Sequence, residues 1–216
     1  MQKKKALFSL IRFAHYFFFI LLAGCETTPG IIDESDFSSR TIGKCSETVE
    51  LSGRVSMNYT LSHNDKTESL HGKFAWKQKN DKTHISLFSP LGQTMAIIDI
   101  LPGQAIFTAS GKPPLSASSA DELIFQQLGW PLPVSGMRSW LQGCAIDANG
   151  RHFQATPSHM ETTTRDGWHI RYIGWTPSGE NEWLPRRIDM THTPSIDAAI
   201  SNIQIRLIID EWHTEN

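Results

Sequence analysis

Leu70-His71-Gly72-Lys73-Phe74-Ala75-Trp76-Lys77-Gln78 and Thr94-Met95-Ala96-Ile97-Ile98-Asp99-Ile100-Leu101 stand on either side of Phe88-Ser89-Pro90-Leu91-Gly92. In the first run Leu70, Gly72, Phe74 and Trp76 alternate with polar or small residues, and the second is rich in β-branched residues. Both patterns predict strands. Ser-Pro-Leu-Gly between them predicts a turn, because proline presets φ and glycine tolerates positive φ. Leu91 then lies at a loop tip, where a large aliphatic side chain has little core to join. Two readings stay open: Leu91 folds back onto its own sheet, or it meets something apolar outside the protein.

The pattern extends in both directions. Val49, Leu51, Gly53, Val55, Met57, Tyr59 and Leu61 alternate with polar residues, giving a long strand with one apolar face, as curved sheets and barrels use. Further strands are expected at Thr83 to Phe88, Gln104 to Ala109, His152 to Thr156, Glu161 to Arg165, Trp168 to Thr176, Leu184 to His192 and Asn202 to Trp212. In the fifth of these Ile170, Tyr172 and Gly174 are in phase, and in the last Ile203, Ile205, Leu207 and Ile209 form one face. Ser119-Ala120-Asp121-Glu122 interrupts the meander as a capping box, with Ser119 as N-cap. Ala120, Leu123, Ile124 and Leu128 then follow at amphipathic helical spacing. A second short helix opens at Ser135 and presents Met137, Trp140 and Leu141 together before Gly143. The fold class is mainly β with short helices: ten or eleven antiparallel strands that must curl or close, with a helical insertion near 119–142 covering one mouth.

The N-terminus sets the compartment. Lys3, Lys4, Lys5 and Arg12 precede the apolar run Tyr16 to Ala23, too short to span a bilayer and suited to a signal peptide over residues 1–24. Leu22-Ala23-Gly24-Cys25 resembles the bacterial lipobox, which implies cleavage before Cys25 and acylation of that cysteine. Two acyl chains suffice for stable anchoring. Glu26 follows where inner-membrane retention favours Asp, so the outer membrane is expected. Residues 25–44 read as a tether with a short helix around Phe37 to Lys44, and 45–216 as one domain with a single sizeable core.

The leader carries four of the 20 basic residues and none of the 22 acidic ones, so the mature chain keeps 16 basic residues and a net charge of −6. That argues against nucleic-acid binding. Cys45 and Cys144 could pair in an oxidising periplasm or stay as free thiols. The sequence has no Gly-x-Ser-x-Gly elbow, no phosphate-loop spacing ahead of Gly111-Lys112, and no paired histidines at metal-ligand spacing. No enzyme activity, metal or cofactor is expected. Seven tryptophans, among them Trp76, Trp130 and Trp140, suit a well-filled core; with Met57, Met95 and Met137 they also suit an adaptable apolar cavity.

Six landmarks, in order, resemble the LolB family of outer-membrane lipoproteins. They are the lipobox ending at Cys25, Gly72 to Trp76, Ser89-Pro90-Leu91-Gly92, the helix after Ser119, Met137-Arg138-Ser139-Trp140-Leu141-Gln142-Gly143, and a final strand ending near Trp212. The resemblance implies an unclosed antiparallel β-barrel with a helical lid over an apolar cavity. It also implies a receptor that accepts lipoproteins from a LolA-like periplasmic carrier and inserts them into the outer membrane without an energy source. The implied partners are that carrier, the acyl chains of client lipoproteins and the outer membrane, met by a monomer. Cys25 becomes the lipid attachment and Pro90, Leu91 and Gly92 the membrane-engaging loop. The residues expected to line the cavity are Phe74, Trp76, Met95, Leu123, Trp140 and Trp168. The segment before Val49 departs from the family pattern, and Cys144 has no assigned role. The alternative is a lipoprotein of the same build that binds or senses lipid and inserts nothing.

Overall fold

A computed structural model describes residues 45–130, 132–178, 183–194 and 198–213. The leader, Cys25, the tether with its expected helix, and part of the turn expected over 177–181 lie outside the described residues. Six strands form a meander: β1 (Thr48–Leu61), β2 (Thr67–Lys79), β3 (Lys82–Phe88), β4 (Thr94–Leu101), β5 (Gln104–Ala109) and β6 (Leu115–Ala117). Two helices follow, α1 (Ala120–Leu128) and α2 (Val134–Trp140), and then a small ribbon of β7 (Cys144–Ile146) and β8 (His152–Gln154). The chain ends in β9 (Glu161–Thr163), β10 (His169–Pro177), β11 (Trp183–His192) and β12 (Ile200–His213).

Ten of these strands make one antiparallel sheet in the order β6-β5-β4-β3-β2-β1-β12-β11-β10-β9. The first and last strands meet at its centre, joined over most of their length from Glu50↔His213 to Leu61↔Ile200. β6 and β9 remain as edges, so the barrel is unclosed. Alternation along β12 decides which face is inward: Ile203, Ile205, Leu207 and Ile209 are buried, while Gln204, Arg206 and Asp210 are exposed. Each such buried side chain contributes ~1.5–3 kcal/mol relative to exposure. Inward residues of β2, β3, β4, β10 and β11, including Trp76, Ile85, Ile98, Tyr172 and Met190, complete the same core.

Two departures from strict alternation have backbone causes. The β1–β12 register shifts at Ser52/Gly53, where a Cβ on Gly53 would collide with the backbone of Ile208. In β10, Gly174 is not in phase with Ile170 and Tyr172. It is exposed at φ 75°, and beyond it Trp175 packs against the core. The left-handed glycine re-aims the strand.

The capping box forms one residue displaced. Glu122 donates its backbone N–H to Ser119 Oγ (3.2 Å), but its carboxylate reaches back to Ser118 and not to Ser119. Gly129, at φ 76°, closes the helix with its N–H on the Phe125 carbonyl. α2 begins at Val134, one residue before the expected start, and Pro133 offers it no side-chain cap. The partner comes from α1: Asp121 accepts from the Ser135 backbone N–H (2.9 Å) and from its hydroxyl. Leu123 and Ile124 are buried as the helical spacing requires, whereas Leu128 stays exposed.

Cys45 and Cys144 form a disulfide that closes 99 residues of chain. Beside it the buried Gln142 side chain accepts from Ser46 N (2.7 Å) and donates to Ser46 O (3.0 Å). Arg138 donates to Thr83 Oγ1 (3.0 Å) and to the Asn80 carbonyl. Both contacts fix the C-terminal end of α2 to the start of the domain and to the β2–β3 turn.

Candidate functional site

Between the inner face of the sheet and the helix pair lies a cleft of about 390 Å³. Its floor is Phe74, Trp76, Ile85, Ile98, Ile205 and Leu207, and its roof is Ile124, Leu132, Val134, Met137 and Leu141. The volume falls in the ~300–1,000 Å³ range of small-ligand sites. At its mouth stand Leu70, Met95 and Leu128, which are 49%, 54% and 38% exposed. These large apolar side chains stand open to solvent around the concavity.

Met95 reaches the mouth because the strand is irregular there. Ala96 and Ile98 point inward, so alternation alone would turn Met95 to the outer face. The β3–β4 register runs from Leu87↔Ala96 to Phe88↔Thr94, leaving Met95 as the extra residue of a bulge. Such a residue is free to re-aim its side chain.

The Leu91 loop is short and tightly bonded. Gly92 N–H donates to Ser89 O (2.9 Å), Ser89 N–H donates to Gln93 O (2.8 Å), and Ser89 Oγ accepts from Gln93 N (3.2 Å). Gly92 sits at φ 87°, the glycine position of a turn followed by a bulge. This frame holds Leu91 outward at 90% exposure. A side chain of that size on a hydrogen-bonded turn leaves its apolar surface facing water.

Of the residues expected to line an apolar cavity, Phe74, Trp76 and Met95 border this cleft. Leu123, Trp140 and Trp168 do not. Leu123 is wholly buried, and the indoles of Trp140 and Trp168 pack on each other with centroids 6.3 Å apart. The other buried tryptophans, Trp130 and Trp183, likewise lie outside its walls, whereas Met57, Met95 and Met137 belong to them. Val55, Leu87 and Phe107 complete the wall without any distinguishing sequence signal beyond alternation.

A wider cleft of about 950 Å³ lies on the far side of α2, walled by the disulfide, Asp121, Ser135, Trp140, His152, Arg165 and Asp166. Its wall begins at Cys45, the limit of the described residues. The outer face of β3 and β4 carries a hydrogen-bonded line of Ser86 Oγ, His84 Nε2 (3.2 Å), His84 Nδ1 and Asp99 Oδ1 (2.6 Å). The three groups stand on an open sheet face and border neither cleft, so they tie neighbouring strands rather than surround a substrate. No cluster of three or more metal-ligating side chains occurs among the described residues.

The family model described as "Outer membrane lipoprotein LolB" matches residues 47–212, from the start of β1 to the end of β12. The chain belongs to the LolB family. An outer-membrane lipoprotein LolB from Cupriavidus metallidurans is 37% identical over 176 residues, covering 76% of this chain and 79% of the relative. One from Cupriavidus pinatubonensis is 33% identical over 198 residues, covering 88% and 89%. Among solved structures, a LolA superfamily protein from Nitrosomonas europaea aligns with a TM-score of 0.47 at 11% identity, covering 84% of this chain and 93% of that one. Membership of the LolB family makes the protein a lipid-anchored lipoprotein of the outer membrane. The LolB match contains both the cleft and the Leu91 loop.

Proposed function

We propose that this protein is an outer-membrane lipoprotein receptor that takes client lipoproteins from a LolA-like periplasmic carrier and delivers them into the outer membrane. The observation that carries the reading is an apolar cleft whose mouth stands beside a rigid loop presenting Leu91 at 90% exposure. Acyl chains gain ~0.8 kcal/mol per buried methylene, so a triacylated client cannot cross water alone and must pass from one apolar surface to the next. The receiver needs only a greater affinity for the chains than the donor has, and the bilayer a greater affinity still; no ATP enters such a sequence. In this mechanism the methionines of the cleft adapt to chains of differing length. Cys25 carries the anchor, and Leu91 enters the bilayer so that the chains leave the mouth into lipid. No covalent step is required of any side chain.

The test is Leu91→Glu in the full lipidated chain. Because Leu91 contributes nothing to the core, the variant is expected to fold and to accept clients from the carrier, yet to leave them undelivered to membranes. A folded Leu91→Glu protein that delivers clients at the normal rate overturns the role of the loop. A wild-type protein that retains bound lipid without ever passing on a client points instead to a lipid-binding or lipid-sensing lipoprotein.

A further inference from the structure

The distribution of charge around the cleft mouth is unlike that of the rest of the chain. Among the described residues no aspartate or glutamate lines the cleft, and residues 88–93 and 110–114, the Leu91 loop and the turn beside it, contain none. The neighbouring Asp99, Asp121 and Glu122 are bonded to His84, Ser135 and Ser118. The mature chain as a whole has 22 acidic residues and a net charge of −6. Two lysines stand among these wall and turn residues. Lys73 is the strand partner of Phe88, at the root of the Leu91 loop. Lys112 sits in the β5–β6 turn, where Ser110 N–H donates to Met95 O (3.2 Å) and so places the turn beside the mouth. Both are exposed, and neither has an ion-pair or side-chain hydrogen-bond partner among the described residues. By contrast Lys66 and Lys77 are held by Glu68 and Glu50 at 2.6 Å. Glu68, the next carboxylate along β2, is therefore already neutralised.

Leu70, Met95 and Leu128 at the mouth and Leu91 on the adjoining loop are thus exposed apolar side chains beside two cations that have no partner among the described residues, and no described carboxylate lines the cleft. That combination fits one partner by charge and by polarity: a phospholipid surface with anionic headgroups, apolar inside and phosphate-bearing at the boundary. We infer that the whole rim of the cleft, and not the Leu91 loop alone, docks on the bilayer, with Lys73 and Lys112 binding anionic phospholipid phosphates. This rests on the membrane role of Leu91 proposed above and extends it. Lysine stems lie along apolar surface while their ammonium groups stay at the headgroups, so both residues suit a boundary position. The mouth itself then faces lipid, and acyl chains leave the cleft without crossing water. Elsewhere the net negative charge opposes an anionic membrane, so the rim also sets the orientation of approach.

The test uses the full lipidated chain in vesicles, with a fluorophore on Gln93→Cys and a headgroup-attached quencher. The vesicles are phosphatidylcholine alone, or phosphatidylcholine with about a third phosphatidylglycerol. One lysine near an anionic surface is worth about fivefold and two about 30-fold. Wild type is therefore expected to exceed Lys73→Gln/Lys112→Gln by about 30-fold in its docked-to-free ratio on phosphatidylglycerol vesicles. The difference should disappear at high salt and on phosphatidylcholine alone. Near-UV circular dichroism checks that the double variant is folded. Equal docking of the two proteins on anionic vesicles overturns the inference while leaving Leu91 its role. No quenching of wild type on either vesicle removes the Leu91 reading, and this one with it. Slower uptake from the carrier by the double variant in vesicle-free solution, at unchanged docking, assigns the rim to the carrier and likewise overturns the inference.

Discussion

A Cβ on Gly72 would lie 2.5 Å from the backbone oxygen of Phe88, so β2 and the root of the Leu91 loop touch with no side chain between them. Gly72→Ala must push the loop away from the mouth. Overpacking of this kind costs about 1–3 kcal/mol. A urea titration should show that loss, and client delivery should fall by more than it does in an equally destabilised core variant, because the finger is displaced from the cleft that feeds it.

Met137 in the roof tests the cleft directly. Met137→Glu sets a carboxylate against Ile98, Ile205 and the other apolar walls, where a charge lacks a partner. Titration with an apolar fluorescent dye should show at least about a tenfold weaker affinity, equivalent to ~1.4 kcal/mol. Unchanged dye binding by a folded variant would mean that this space does not hold apolar ligands.

The Cys45–Cys144 disulfide closes a long loop, for which chain-entropy arguments give about 4–5 kcal/mol and measured losses run about 2–5 kcal/mol. Cys45→Ser/Cys144→Ser should therefore move the urea midpoint of the oxidised protein to that of the reduced one. Reductant should have no further effect on the double variant.

Asp189 makes a pH prediction. Burial by itself would raise its pKa, but hydrogen bonds from Arg187 (2.6 and 2.9 Å) and Arg206 (3.1 Å) outweigh that and hold the carboxyl below the usual range. A folded-state pKa below the unfolded value of about 3.9 stabilises above that pH, and the gain is lost as pH falls through the folded value. Asp189→Asn should cost about 1–2 kcal/mol at neutral pH. The two stability curves should converge in acid below the usual carboxylate range.

Tyr172 is wholly buried, its hydroxyl has no hydrogen-bond partner among the described residues, and burial pushes its phenol pKa up. Leaving such a group unpaired costs about 1–3 kcal/mol. Tyr172→Phe should raise the melting temperature by several degrees, and a lower value would show that the hydroxyl is satisfied.

Local pattern carried most of the architecture. Alternation and turn residues give the bounds of β4 and β5 without error, and Ser119 marks the start of α1 because its capping chemistry is local. β6 and β7, three residues each, are too short for a period to show. The junction of β1 with β12 joins the first strand to the last, and no local signal encodes it. Spacing left Cys45 and Cys144 open for the same reason. At the cleft, tryptophan size suggested cavity walls, yet Trp140 and Trp168 satisfy each other instead. A bulge brings Met95 inward against its alternation. Net charge likewise argues only against nucleic-acid binding, while the lack of carboxylates on the cleft wall appears once separate segments are brought to one mouth.

The outermost strands of the sheet are its shortest. β6 and β9 have three residues each, Pro113 and Pro114 lead into β6, and Ala148 N–H occupies the free side of β9 through the Thr163 carbonyl (2.8 Å). Brief, proline-flanked or covered margins are poor templates for another chain. An open sheet therefore comes without the usual hazard of split β-structures, neighbours stringing together into fibres, even where many copies crowd one membrane surface.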